Sequence, residues 1–301
     1  MRPVSERAVV VGVDGSEAAR LAAVWAAEEA AHRGLPLRLV SVYTVPEAGV
    51  GSITGAVQGM RDGLEARART RLEAVRKSVT ALYPQRPVQL AAREWHPVAA
   101  LVQESERASL VILGSRGLGG RTGRQAGATA AAVAMRGHCP VIVVRGGTQS
   151  SPAAASGPVV VGLDGAADST NALEFACEEA SWRRAPLVAV HTWNPALIDG
   201  VPRPHPLALD PVEVEQEERR VLAEQLAGWQ EKYPDVVIER VVACGRPVRT
   251  LLARADRARL LAVGSRGRGG FDGMMLGSTS QALLAHSPCP VAVVRSVDAG
   301  S

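Results

Sequence analysis

The chain alternates short, continuous apolar blocks rich in valine with longer stretches whose apolar positions recur at a helical period. The blocks at residues 8–13, 37–42, 88–92, 110–113 and 141–144 predict strands. The periodic stretches predict helices over 17–33, about 60–82, 98–107 and about 127–136. Strands that are apolar throughout, instead of alternating with polar residues, belong in a parallel sheet covered by helices, so both faces of each are expected to be buried. The order βαβαβαβαβ with right-handed crossovers gives an α/β fold with a doubly wound, Rossmann-like sheet. The second half repeats the pattern, with strands expected at 159–163, 187–191, 236–241, 260–263 and 291–294.

The repetition extends to individual residues. The segment Val-Val-Val-Gly-Val-Asp-Gly at 9–15 returns as Val-Val-Val-Gly-Leu-Asp-Gly at 159–165. Pro36-Leu37 matches Pro186-Leu187, Tyr83-Pro84 matches Tyr233-Pro234, and Cys139-Pro140-Val141 matches Cys289-Pro290-Val291, with no net insertion between the copies. Two domains are therefore expected, at 1–147 and 157–301. The Gly, Ser, Ala and Pro stretch at 145–158 reads as the linker. Each half has the length of an ordinary independent domain.

Composition narrows the function classes. Four cysteines in 301 residues form neither a disulfide framework nor a CxxC metal site, which points to a reducing, cytoplasmic home. No stretch approaches the roughly 20 apolar residues needed to span a membrane, and the first residues lack the apolar run of a signal peptide. The net charge of +4 is small, and no arginine cluster is interleaved with aromatics, so no nucleic-acid partner is expected. The six histidines show no metal-ligand spacing and no metal site is expected. Trp25 and Phe175, at matching positions of the first helix of each half, read as core. Cys139 and Cys289 read as small buried hydrophobes.

Candidate chemistry sits at the strand ends. Gly114-Ser115-Arg116-Gly117 is followed nine residues later by Gly127, and Gly264-Ser265-Arg266-Gly267 is followed at the same spacing by Gly277-Ser278. Glycines let backbone approach a ligand, successive amide groups in such a turn form an anion site, and the next helix adds its free N–H groups and positive dipole end. Phosphate is the expected anion. Ser278 and Thr279 can donate hydroxyl hydrogen bonds, whereas the first copy has Ala128 and Thr129, so its site is expected to be the weaker for phosphate unless Arg116, Arg121 or Arg124 compensates with charge-assisted contacts. Asp14 and Asp164 end the first strand of each half, where a carboxylate either accepts from ribose hydroxyls, holds a metal through water, or merely caps a turn. Their recurrence opposite both loops favours the functional role. Gly12 and Gly162 are expected to clear space for a ring or sugar. Ser16 is the expected N-cap of the first helix, and Asp168 or Ser169 is expected to take that role in the second half, where Ala166 replaces the serine. Neither loop is a Walker A motif or a dinucleotide fingerprint.

The strand-ending Asp and the Cys-Pro-Val strand, both present twice, and the pattern Gly-x2-Gly-x9-Gly-[Ser/Thr], complete in the second half and complete but for Ala128 in the first, resemble the universal stress protein family in its ATP-binding, tandem-domain form. The resemblance implies two domains with five parallel strands in the order 3-2-1-4-5, and ATP, with or without Mg2+, as the cofactor. Carried over by position, the contacts are Gly12, Asp14, Val42, Gly114, Ser115, Arg116, Gly117, Gly120, Gly127, Ala128 and Thr129 in the first half. In the second they are Gly162, Asp164, Gly264, Ser265, Arg266, Gly267, Gly270, Gly277, Ser278 and Thr279. Thr192 replaces Val42 on the adenine side, and Ala128 departs from the motif. The resemblance also implies pairing of the two halves through residues 141–144 and 291–294 as an intrachain pseudo-dimer, assembly into a homodimer, and an unidentified protein partner. Two function classes follow from it: a nucleotide-dependent regulatory module in stress response, or an ATP-using enzyme such as a slow ATPase. No evident general base or nucleophile lies near the loops, and Asp14-Gly15-Ser16 does not supply an adenylating phosphate signature of the Ser-Gly-Gly-x-Asp-Ser type. Binding is therefore favoured over turnover, and no catalytic residue is assigned.

Overall fold

The computed structural model describes residues 7–46, 54–115, 117, 127–145, 156–193, 197–198, 201–202, 211–267 and 275–295. The chain divides into two compact units, Met1–Gly146 and Gly147–Ser301.

In the first unit the chain runs β1 (Ala8–Gly12), α1 (Glu17–Arg33), β2 (Leu37–Tyr43), α2 (Thr54–Leu82), β3 (Val88–Glu94), α3 (Pro97–Ser105), β4 (Ala108–Gly114), α4 (Ala128–Arg136) and β5 (Val141–Val144). Its strands lie in the order β3-β2-β1-β4-β5, all parallel. The second unit runs β6 (Val159–Leu163), α5 (Ala167–Arg183), β7 (Leu187–Trp193), β8 (Leu197–Ile198), β9 (Val201–Pro202), α6 (Pro211–Gln225), α7 (Trp229–Lys232), β10 (Ile238–Cys244), α8 (Pro247–Ala255), β11 (Leu260–Gly264), α9 (Ser278–His286) and β12 (Val291–Val294). Its parallel strands repeat the order as β10-β7-β6-β11-β12, and β8 and β9 form a separate antiparallel ribbon. Both halves thus carry the doubly wound, helix-flanked parallel sheet that the alternation predicts.

Val9, Val10 and Val11 and their counterparts Val159, Val160 and Val161 are fully buried, as are Leu110 to Ile112 and Leu260 to Ala262. Trp25 and Phe175 lie in the cores, as expected. Along α2 the buried residues are Ala68, Leu72, Val75 and Val79, one stripe at helical spacing beneath a charged outer face.

Burial on both faces holds for the inner strands and fails for the outermost. No residue of β3 or β10 is fully buried, although α2 packs on β3 and α6 on β10. Their open edges carry charge, which discourages pairing with another chain. Glu94 of β3 holds Arg61 at 2.8 Å, and Arg93 reaches Glu104 at 3.2 Å. The strand expected at 236–241 begins later, at Ile238, since Val236 donates its N–H to Tyr233 in the preceding turn.

The first helix of each unit starts differently. Ser16 caps α1, accepting from the Ala19 N–H at 3.1 Å. Ala166 caps α5 with no side-chain bond, and neither Asp168 nor Ser169 stands at the cap, because both lie inside the first turn. Ser169 donates back to the Ala166 carbonyl at 2.8 Å. One buried polar tie belongs to the second unit alone. His191 of β7 places Nδ1 at 2.9 Å from the Leu163 carbonyl and Nε2 at 2.6 Å from Glu218 of α6. Each ring nitrogen thus faces one oxygen, which ties β7 to both the end of β6 and α6.

Gly114, at the end of β4, has the backbone of Ala18 directly in front of it, 2.6 Å from where a Cβ would stand. Gly63, on the exposed face of α2, meets nothing within 4 Å. Gly114→Ala is expected to destabilise the protein by about 1–3 kcal/mol through overpacking against immovable backbone. Gly63→Ala is expected to stabilise it by about 0.5–1 kcal/mol through helix propensity. Thermal unfolding of the two variants beside the parent chain reads both signs. The thiols give a second check. Burial pushes Cys139 and Cys177 up to about 12 and Cys289 is buried, while Cys244 is exposed. Because the thiolate is the reactive species, a thiol reagent at neutral pH should label Cys244 in the folded chain and the other three only after denaturation.

Candidate nucleotide site

The crevice in each unit is set by the neighbouring first and fourth strands. β1 pairs with β4 through Val11 and Ile112, and β6 pairs with β11 through Val161 and Ala262. Both strands of each pair leave the sheet at their carboxyl ends on the same side, where the winding reverses. Past Gly12, the Val13 N–H donates to Val40 of β2 at 2.8 Å, which carries the strand direction on to Asp14. The turn that follows needs a left-handed residue, and Gly15 at φ +93 and Gly165 at φ +80 supply it. Within that turn Asp14 Oδ1 accepts the Ser16 N–H at 2.9 Å, and Asp164 Oδ1 accepts the Ala166 N–H at 3.0 Å. One carboxylate oxygen of each aspartate shapes the turn while the other faces the glycine loop.

The glycine loops close on themselves. Ser115 donates its N–H to Val144 and Ser265 donates to Val294, each at 2.8 Å. The Ser115 and Ser265 carbonyls then receive the N–H of Gly127 at 2.6 Å and of Gly277 at 2.8 Å. This brings the starts of α4 and α9, whose N-caps Gly127 and Gly277 make no side-chain capping bond, against the strand ends. The helix N–H groups there have no intrahelical acceptor and aim a positive dipole end at the crevice. Gly267 is on the facing wall, since its N lies 3.8 Å from a Cβ built on Gly277. A Cβ on Gly117 would stand 2.6 Å from Asp14 Oδ2, and one on Gly267 would overlap Asp164 Oδ2. Asp164, Gly267, Gly277, Ser278 and Thr279 thus converge on one crevice, and Asp14, Gly117, Gly127, Ala128 and Thr129 do so in the first unit.

Other expected contacts have different surroundings. Gly12 does not front open space, because Leu113 and Leu101 side chains stand 2.7 and 3.3 Å from a Cβ there. Gly162 is likewise closed by Leu251 and Val263. The absent side chain makes room for core leucines, so the room foreseen for a sugar is not at these positions. Gly114 and Gly264 serve close packing of the strand ends on α1 and α5. Val42 lies in the last third of β2, paired with Arg93 and half-buried, and Thr192 occupies the matching place in β7. Arg116, Gly120, Arg121, Arg124 and Gly270 lie outside the described residues.

Three residues of the second site lie outside the loop motif, and two of them, Asp168 and Ser280, have alanine as their counterpart in the first half. Asp168 is buried beneath the loop and accepts from Ser265 Oγ at 2.6 Å. Ser280 Oγ donates to the Gly264 carbonyl at 2.7 Å, tying α9 to the end of β11. Arg295, at the end of β12, donates to the Met275 carbonyl at 2.7 Å. Burial, reinforced by the nearby Arg266, lowers its pKa, while Asp168 opposes the shift. Two arginines and one aspartate leave the ground under this loop with a positive balance, which suits an anion. No group of three His, Cys, Asp or Glu among the described residues is arranged to hold a metal, and no helix among them is long and apolar enough to cross a membrane.

Comparison with known proteins places this arrangement. The model of the universal stress protein family matches residues 6–145 and again 156–295. Two Mycobacterium tuberculosis H37Rv proteins resemble the chain along its length. Universal stress protein Rv2005c is 38% identical over 300 residues, covering 98% of this chain and 99% of the relative. Universal stress protein Rv2623 is 35% identical over 294 residues, covering 97% of each. Among solved structures, a universal stress protein from Archaeoglobus fulgidus DSM 4304 shares the fold across 99% of both chains, with a TM-score of 0.67 at 19% identity. With a family match to each half and full-length relatives above one-third identity, the chain belongs to the universal stress protein family and carries two copies of its domain.

Proposed function

We propose that each unit binds ATP in the crevice between its strand-ending aspartate and its glycine loop, and that the bound nucleotide sets the state of a regulatory module in stress response. The observation that carries this reading is the meeting of Asp164, the Gly267 backbone and the uncapped start of α9 at the carboxyl end of a parallel sheet. Backbone N–H groups and a helix N-terminus suit the phosphates. The carboxylate suits the ribose hydroxyls, and also suits Mg2+ held through water. The glycine at 267 fits this occupancy, since any side chain there would fill the space before Asp164.

Turnover is the lesser reading. Asp14 and Asp164 are engaged through Oδ1 in shaping their own turns, and a loop carboxylate so held positions a ligand better than it activates water. In assembly, the reading includes pairing of the two halves through their last strands and a homodimer in the cytoplasm. Light scattering of the purified chain, which should give twice the chain mass, measures the second of these.

Acid release of small molecules from freshly purified protein, with chromatography to identify and count them, tests the central claim. Two ATP per chain are expected, or one if Ala128 leaves the first site weak, with no accumulation of ADP over time. ADP production sustained in proportion to protein would replace the module with an enzyme. A chain that carries no nucleotide and binds none when ATP is added would sink the reading. Gly267→Glu sets an anion against Asp164 and is expected to remove second-site binding, as Gly117→Glu removes first-site binding, with native helicity retained in both.

A further inference from the structure

The two crevices share a backbone but differ in what holds their loops. In the second unit Asp168, on the first turn of α5 and only 4% exposed, gathers three donors of the glycine loop onto Oδ2. These are Ser265 Oγ at 2.6 Å, the Arg266 backbone N–H at 3.2 Å and Arg266 Nε at 3.4 Å. The far end of the loop is tied as well, by Ser280 Oγ on the Gly264 carbonyl. In the first unit Ala18 and Ala130 occupy the positions matching Asp168 and Ser280, so the buried Ser115 meets neither device. Ordering a loop on ligand binding costs conformational entropy, and a loop held in place beforehand avoids that cost.

We propose that Asp168 is a positioning residue that pre-forms the second glycine loop for the phosphates, making the two sites of one chain unequal in nucleotide affinity. The proposal rests on the nucleotide reading above and names its regulation: the second site fills at low nucleotide and the first only at higher concentration. The Asp168 carboxylate acts at a distance from the ligand. It fixes the Arg266 amide and anchors the guanidinium through Nε. Among the described residues, the two Nη nitrogens of this half-exposed side chain make no bond and remain available to an anion. One carboxylate near a phosphate would by itself repel it, but Arg266 and Arg295 outnumber the charge.

Two measurements on the full chain test this. In nucleotide-free protein, hydrogen exchange at the Arg266 amide should accelerate about tenfold or more in Asp168→Ala, because a buried charge-assisted acceptor is lost. For binding, Gly117→Glu serves as the background that isolates the second site. There Asp168→Ala should weaken ATP about tenfold or more and leave adenosine binding unchanged, with Asp168→Asn intermediate because its amide oxygen still accepts from Ser265. Unchanged exchange would overturn the pre-formed loop. Equal losses for ATP and adenosine would reduce Asp168 to a purely structural residue and overturn its role at the phosphates. Faster exchange with unaltered ATP affinity would overturn the functional step. If the parent chain binds no ATP, the nucleotide reading fails together with this role, whereas the exchange result still decides whether Asp168 orders the loop.

Discussion

The site depends on one constraint, the parallel pairing of the first strand with the fourth in each unit. That pairing sets two strand ends side by side on one edge of the sheet, so an aspartate leaving β1 or β6 and a glycine loop leaving β4 or β11 must face each other. Everything else refines this placement. Left-handed glycines turn the chain sharply after each aspartate, and the hydrogen bond between Ser115 and Gly127, or Ser265 and Gly277, folds the loop back so that a helix begins where the strand ended. The polar chemistry of the crevice is supplied largely by backbone, which is why small residues dominate it.

Those small residues are not of one kind. Gly114 and Gly264 are required because a helix backbone lies against them, Gly12 and Gly162 because leucines fill the space a Cβ would take, and Gly117 and Gly267 because an aspartate faces them. Gly277 has only ordinary contacts around its Cβ position. The loop pattern therefore combines packing requirements with ligand requirements, and a motif match alone does not separate them.

The architecture was largely legible in the sequence, since valine blocks separated by helical periods report a buried parallel sheet directly, and duplication reported each element twice. The exposure of β3 and β10 had only a partial trace, the polar residues Gln89, Arg93 and Glu94 and Glu239 and Arg240 within their runs, and the placement of helices settles it. At the site, Asp14, Asp164 and the glycines could be found because they recur. Asp168 and Ser280 could not. Both have alanine as their counterpart in the other half, so a reading that takes recurrence as its signal discards them, whereas Arg295 recurs as Arg145 but stands outside the loop motif. Asp168 was noticed only as a possible helix cap, a local role, whereas its partners Ser265 and Arg266 lie far along the chain on the neighbouring loop. Contacts of that kind depend on the folded sheet and leave no local trace.

The strand order also bears on how the protein is made. β1 is central to the first unit and is synthesised before both of its neighbours. It can pair with β2 as soon as residues 37–43 are available, but its other neighbour, β4, is missing until residues 108–114 have emerged. At the pace of a ribosome that interval lasts seconds, during which one side of a valine-rich strand has no partner. The same delay recurs between β6 and β11. Every newborn chain therefore passes twice through an interval in which an apolar central strand lacks one of its two neighbours.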